Sequence, residues 1–211
     1  CRAVLICLLI FPTHLCFGAS PLDRLAEAVR FKTVSSQNSA EIDYEAFQGL
    51  NEFLARTYPR TFDQLEVEYI NTHSILLRWL GSDPEQNPVL FTAHTDVVPI
   101  EIGTEGDWQH PPFAGVIENN TLYGRGTLDD KQGVISLLEA TETLLEEGFK
   151  PRRTLVFGFG HDEEIGGENG AAALAERMRE LNLSFDWMVD EGGFVVSNTP
   201  LLPGRDLAMI N

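Results

Sequence analysis

Gly158-Phe-Gly-His-Asp-Glu-Glu-Ile-Gly-Gly167 is the stretch from which the rest of the chain can be read. Arg153-Thr-Leu-Val-Phe157 precedes it. A short apolar run with β-branched and aromatic residues, closed by glycines, predicts a buried strand. That strand runs into three consecutive acids, Asp162, Glu163 and Glu164. Adjacent carboxylates repel one another and are costly to desolvate without a cation. A metal ion offsets that cost and leaves a neighbouring carboxylate free to act as a base. The competing reading is a solvated acidic turn.

Two other segments weigh against the solvated turn. Val89-Leu-Phe-Thr-Ala93 is a second apolar strand pattern and leads into His94-Thr-Asp96. Gly124-Arg-Gly-Thr-Leu-Asp-Asp-Lys131 leads into a helical pattern, with Val134, Leu137, Leu138, Leu144 and Leu145 on one face and Gly148 as its stop. Ser184 to Val189 reads as a further strand and ends in Asp190-Glu191-Gly192-Gly193. Upstream, Ser20-Pro21 opens an amphipathic helix with Asp23 at its positive end, and Ile42 to Tyr58 repeats apolar residues at helical spacing. Leu65–Ile70 and Ser74–Leu80 read as a β-pair across Asn71-Thr72-His73, with His73 as a turn residue. Asn169 to Leu181 is an alanine-rich helix, and Leu207–Asn211 resembles the start of a strand. Strands alternating with helices predict an α/β domain with a mixed, mostly parallel sheet flanked by helices. Ligand sites in such sheets lie outside the carboxyl ends of the strands. His94, Glu163, Glu164 and Asp190 all follow predicted strands, and Asp129 opens a helix beside them.

The chain has 211 residues, 43% of them hydrophobic, with a formal net charge of -17. That charge argues against nucleic acid or an anionic membrane surface as partner. Residues 1–19 read as a signal peptide or membrane anchor: Arg2, an apolar run broken by Pro12 and His14, then Gly18-Ala19-Ser20. The three cysteines, Cys1, Cys7 and Cys16, all lie there, so residues 20–211 offer no disulfide and no thiolate ligand. A secreted or lumenal location follows as an expectation. Two sequons, Asn119-Asn-Thr121 and Asn182-Leu-Ser184, are compatible with it.

One imidazole with several carboxylates and no thiolate suits zinc, with cobalt or manganese as substitutes. Several acids near one point suggest two metals about 3.5–4 Å apart, bridged by one carboxylate, and Asp129 suits the bridge. Asp96, two residues beyond His94, could accept the other imidazole N–H and set the metal-binding tautomer. Of the adjacent Glu163 and Glu164, one would bind metal and the other would take the proton of a water. His161 reads as structural, and Trp108 and Phe113 as loop packing.

The segments His94-Thr-Asp96, Tyr123-Gly-Arg-Gly-Thr-Leu-Asp-Asp-Lys131 and His161-Asp-Glu-Glu164 with Gly166-Gly167 resemble the motifs of the co-catalytic zinc peptidases. That family includes aminoacylase, carboxypeptidase S, bacterial glutamate carboxypeptidase and succinyl-diaminopimelate desuccinylase. The wording is most similar to carboxypeptidase S and the secreted N-fatty-acyl-amino-acid synthase/hydrolase. The resemblance implies a zinc-peptidase catalytic domain with two zinc ions. In it His94 and Asp190 are ligands of the first zinc, with Glu191 the rival of Asp190. Asp129 is the bridge, Glu164 a ligand of the second zinc, Asp96 the orienting acid and Glu163 the general base. It implies cleavage of an amide next to a free carboxylate, in short peptides or N-acyl amino acids, by a water that Glu163 activates. It also implies a second ligand histidine and a lid domain that carries homodimer contacts. Neither lies within residues 20–211, so this stretch is expected to be the N-terminal part of the catalytic domain and inactive alone. The contrasting expectation is a non-catalytic binding module on the same fold.

Overall fold

A computed structural model describes the backbone of residues 19–192, 194–197 and 206–209, and the side chains of 19–192. The leader reading of residues 1–18 lies outside the described residues, as do 210–211 of the last strand pattern. No described helix is long and apolar enough to cross a membrane.

Local chemistry sets the helix starts. In α1 (Pro21–Arg30) the Ser20 hydroxyl accepts from the Asp23 N–H, and the Asp23 carboxylate accepts from the Ser20 N–H at 2.9 Å. This reciprocal capping box satisfies two donors that a helix start leaves open. In α2 (Tyr44–Thr57) Asp43 is the cap. Pro59 then opens the short α3 (Pro59–Gln64), which periodicity over so few residues does not reveal. α4 (Lys131–Glu146) is capped by Asp130 and followed by Gly148 at φ 73°. α5 spans Ala171–Glu180.

β1 (Glu66–Ile70) and β2 (Ser74–Trp79) form the expected antiparallel hairpin. β2 pairs antiparallel with β6 (Leu155–Gly160), which runs parallel to β3 (Val89–His94). β3 in turn runs parallel to β7 (Trp187–Val189), giving the order β1-β2-β6-β3-β7. The sheet is therefore mixed, and its parallel part, β6-β3-β7, is the part that carries the acids. Two small hairpins stand apart: β4 (Val116–Glu118) with β5 (Thr121–Tyr123), and β8 (Phe194–Ser197) with β9 (Asp206–Met209). The β4–β5 turn, Asn119-Asn120, has φ of 50° and 60° at its two residues. Asparagine tolerates that left-handed region, and two such residues match the twist of a hairpin. Neither strand of this hairpin is among those predicted from sequence.

Strand alternation splits the core in two. Ile75, Leu77, Trp79, Phe157 and Phe159 pack with α1, α2 and α4 through Ala28, Leu50, Leu54, Val134 and Leu138. Leu76, Leu90 and Val156 face the other way, onto Leu174 and Met178 of α5. A three-layer sandwich results, helices on both faces of the sheet.

Polar ties hold the first layer together. Tyr58 is fully buried, and its hydroxyl donates to Glu139 Oε1 at 2.9 Å. Arg24 donates to both oxygens of the same carboxylate, at 2.6 and 2.7 Å. Burial pushes the Tyr58 phenol well above its ordinary range, as does Glu139, so the ring stays a neutral donor. Tyr58→Phe is expected to cost about 1.5 kcal/mol, the typical net value of a hydrogen bond to a charged group. Denaturant unfolding measures it, and an unchanged midpoint would show that the Arg24 pair alone satisfies Glu139.

Candidate metal centre

The three parallel strands end at one edge, and His94 pairs with Gly160 at that edge. His94 is 2% exposed. Its Nδ1 lies 3.2 Å from Asp96 Oδ1 and 3.1 Å from the Asp96 carbonyl oxygen. Three carboxylates surround its Nε2: Asp129 at 2.9 Å, Glu191 at 3.0 Å and Glu163 at 3.9 Å. One ring nitrogen can donate to only one of them at full strength, so the cluster holds more anionic oxygen than the imidazole can satisfy.

Asp96 ties the site's two halves together. It is fully buried, and besides His94 it accepts from the Glu163 N–H at 3.1 Å and the Glu164 N–H at 3.2 Å. Those two glutamates begin the short 3₁₀ turn Glu163–Ile165. Asp162, the first of the three consecutive acids, points elsewhere. It is buried, and its oxygens accept from the Asn169 and Gly170 N–H groups, each at 2.7 Å. It closes the loop that leads into α5. A Cβ at Gly170 would lie 2.4 Å from its Oδ1, so the approach requires glycine. Asp130 likewise serves structure, accepting from Gly133 N–H at 3.1 Å as the cap of α4 and from His94 N–H at 3.4 Å. The bond between Asp129 and Asp130 is cis.

Asp190, the first sequence choice for a ligand, is drawn away from His94. Its Oδ1 accepts from the Thr92 hydroxyl at 2.6 Å and from the Glu191 N–H at 2.9 Å. Its rival Glu191 reaches the imidazole instead. Two sets of side chains bring ligand atoms close enough to share an ion: His94 with Glu163 and Glu191, and His94 with Asp129 and Glu164. Asp190 is in neither set, because consecutive residues leaving a strand point to opposite sides and Thr92 on β3 binds the one facing it.

The electrostatics agree with an acid cluster in need of a cation. Burial opposes charge on His94, yet Asp96, Glu191 and Asp129 together hold its imidazole up at about 10. Burial pushes Glu191 up to about 7, with Asp130, Asp129 and Glu163 adding to it and His94 opposing. Glu164 is raised by burial and by Asp129. A mixed set of carboxylates and one imidazole, all hard or borderline donors, fits a divalent ion such as zinc or manganese.

A cavity of about 580 Å³ opens from this cluster. His94, Asp129, Glu163, Asp190 and Glu191 line one part, and Leu90, Leu174, Met178 and Met188 line another. His161 lies outside it: it is buried, its Nδ1 sits 2.6 Å from Ser74 Oγ, and its ring packs edge-on against Phe47. His73 is in the β1–β2 turn, stacked on Tyr44 at 4.9 Å. Trp108 carries the Arg125 guanidinium 5.4 Å above its ring, and Phe113 lies under Lys32.

Fold and site together define an α/β domain of the metallopeptidase type. Residues 90–205, more than half of the chain, match Peptidase family M20/M25/M40. The chain belongs to that family. Among relatives, probable carboxypeptidase S-like 2 of Dictyostelium discoideum is 41% identical over 184 residues, covering 86% of this chain and 35% of that protein. Carboxypeptidase S of Saccharomyces cerevisiae is 40% identical over 171 residues, covering 78% and 30%. An N-fatty-acyl-amino acid synthase/hydrolase of Danio rerio is 38% identical over 173 residues, covering 81% and 33%. The chain thus spans about a third of the length of these curated relatives. In three dimensions it is similar to an M20 family metallo-carboxypeptidase of Sulfolobus solfataricus (TM-score 0.62, 22% identity, 82% of this chain and 37% of that one). Human carnosine dipeptidase 1 is comparable (TM-score 0.62, 23% identity, 81% and 38%). At those identities the likeness is one of fold.

Proposed function

We propose that the full-length protein is a dizinc hydrolase that cleaves an amide bond next to a free carboxylate, in short peptides or N-acyl amino acids. The observation that carries this reading is the convergence of Asp129, Glu191 and Glu163 on one buried imidazole nitrogen at the carboxyl edge of the parallel strands. His94 with Glu191 would contribute to one ion, and Asp129 with Glu164 to the second. Bound zinc would supply an acidified water and polarise the amide carbonyl. Asp96 accepts the His94 Nδ1–H and so keeps Nε2 turned to the cluster. Glu163, whose side chain is 53% exposed at the mouth of the cavity, takes the proton of the attacking water and returns it to the leaving amine. The apolar wall of Leu90, Leu174, Met178 and Met188 suits an apolar side chain or an acyl group, and the names of the relatives span both substrate classes. A second ligand histidine, a lid and a homodimer belong to the same reading of the whole protein, as does a secretory compartment.

The test is metal analysis of the purified full-length protein with an amide panel before and after chelation. Substrates with a free carboxylate should be cleaved, their amidated analogues spared, and activity lost on chelation and restored by zinc. Glu191→Gln should lower metal affinity by about 10- to 100-fold, an estimate borrowed from changes around other metal sites, while Asp190→Asn should retain the metal. Cleavage indifferent to chelation, or a protein without metal, would sink the reading.

A further inference from the structure

We propose that Asn119 and Asn182 carry N-linked glycans. Sequons arise by chance, so the motif alone carries little; their placement in the fold carries more. Asn119 is the first residue of the β4–β5 turn, and Asn182 closes the turn after α5; both have positive φ, 50° and 54°. Both side chains are exposed, and so are the hydroxyl residues Thr121 and Ser184 of the two sequons. A large hydrated glycan is tolerated only where its asparagine is on the surface and not required by the core. Asn119 makes no side-chain hydrogen bond among the described residues. Asn182 donates from Nδ2 to the Glu180 carbonyl at 3.4 Å. Glycan transfer consumes one of the two amide hydrogens, so that contact can persist.

Both positions also leave the metal centre open. The segment after Asn182 enters the sheet where the Asp186 N–H meets the Pro88 carbonyl, at the starts of β3 and β7. The acid cluster lies beyond the opposite ends of those strands. Asn119 occupies the tip of a separate hairpin, and neither asparagine lines the cavity. Residues 20–211 contain no cysteine, so this stretch offers no thiol for an oxidising compartment to mispair. In the transfer step, the amide nitrogen attacks the anomeric carbon of a lipid-linked oligosaccharide diphosphate. An N–C bond forms, the C–O bond to phosphate breaks, the lipid diphosphate departs and the amide loses one proton. The donor is the lipid-linked oligosaccharide of the secretory pathway. The proposal rests on the secretory compartment of the proposed function and not on the hydrolase chemistry.

The full-length protein, with its own N-terminus, would be produced in a secretory eukaryotic cell and treated with peptide N-glycosidase. Two mobility steps are expected, with conversion of Asn119 and Asn182 to aspartate read by peptide mass spectrometry. Asn119→Gln and Thr121→Ala should each remove the first step, and Asn182→Gln and Ser184→Ala the second. The hydroxyl variants leave the asparagine in place and so control for misfolding. A protein that shows no shift and no conversion overturns the proposal. Conversion at one asparagine overturns it for the other.

Discussion

Glu163→Gln is expected to lower the turnover of the full-length protein by about 10²- to 10⁴-fold, the usual contribution of a positioned general base, with metal content unchanged. Glutamine keeps the shape of the side chain but cannot accept a proton. The surroundings that place it stay intact, because the anchor is the backbone: the Glu163 N–H donates to Asp96 whatever the side chain is. Of the three acids near His94 Nε2, Glu163 is the farthest, at 3.9 Å against 2.9 and 3.0 Å for Asp129 and Glu191. Glu163 also falls in a ligand set with His94 and Glu191, and its greater distance from the shared donor is what favours the proton-transfer role. Its neighbour Glu164 falls in the other ligand set, with Asp129. Single-turnover kinetics with parallel metal analysis would separate the roles. If Glu163→Gln loses metal as well as turnover, Glu163 is a ligand and the base must be sought elsewhere. Unchanged turnover would remove it from the chemistry altogether.

Asp96→Asn should be the most damaging single change to the framework, costing about 3 kcal/mol or more in stability, as when one partner of a buried ionic network is removed. The carboxylate accepts from three groups at once: the Glu163 N–H, the Glu164 N–H and His94 Nδ1. Burial raises its proton affinity, but hydrogen bonding and the charge of His94 outweigh that and hold it below the ordinary carboxylate range. Asparagine offers one oxygen, and its amide hydrogens would face an N–H donor. At least one buried donor is then left unpaired, at about 1–3 kcal/mol. The loss also frees the imidazole to turn and loosens the Glu163–Glu164 backbone, so metal affinity should fall by about 10- to 100-fold. Thermal unfolding and metal titration of the same variant measure both effects. Normal stability with weakened metal binding would confine Asp96 to the imidazole. The opposite result would make it purely structural.

Much of the fold was legible without coordinates, because its signals are local. Ser20-Pro21 with Asp23 contains every atom of the α1 capping box within one helical turn. The alternation through β2 and the apolar runs of β3 and β6 predict their burial directly. Asn119-Asn120 also marks a hairpin, but the strands on either side are only three residues each, too short for alternation to stand out. α3 is hidden for the same reason. That the turns after β3, β6 and β7, with His94, Glu163, Glu164 and Asp190, would meet beside the start of α4 at Asp129 could be anticipated from strand order, since parallel strands deliver their carboxyl ends to one edge.

Which acids converge on His94 was decided only by the tertiary structure. Asp162, Glu163 and Glu164 are three consecutive acids in the sequence. The N–H groups of Asn169 and Gly170 pull Asp162 into the core, while Asp96 holds the other two by their backbone. Asp190 and Glu191 are likewise interchangeable in sequence, and the Thr92 hydroxyl on β3 takes one and leaves the other for His94. Composition, capping and periodicity are properties of neighbours along the chain, so the sequence determined the elements and the edge where the chemistry sits. The partners that sort these acids lie 7 and 8 residues on for Asp162, and about 70 to 100 residues away for Glu163, Glu164 and Asp190. Only folding brings those partners into contact, and hydrogen-bond geometry then selects between adjacent carboxylates.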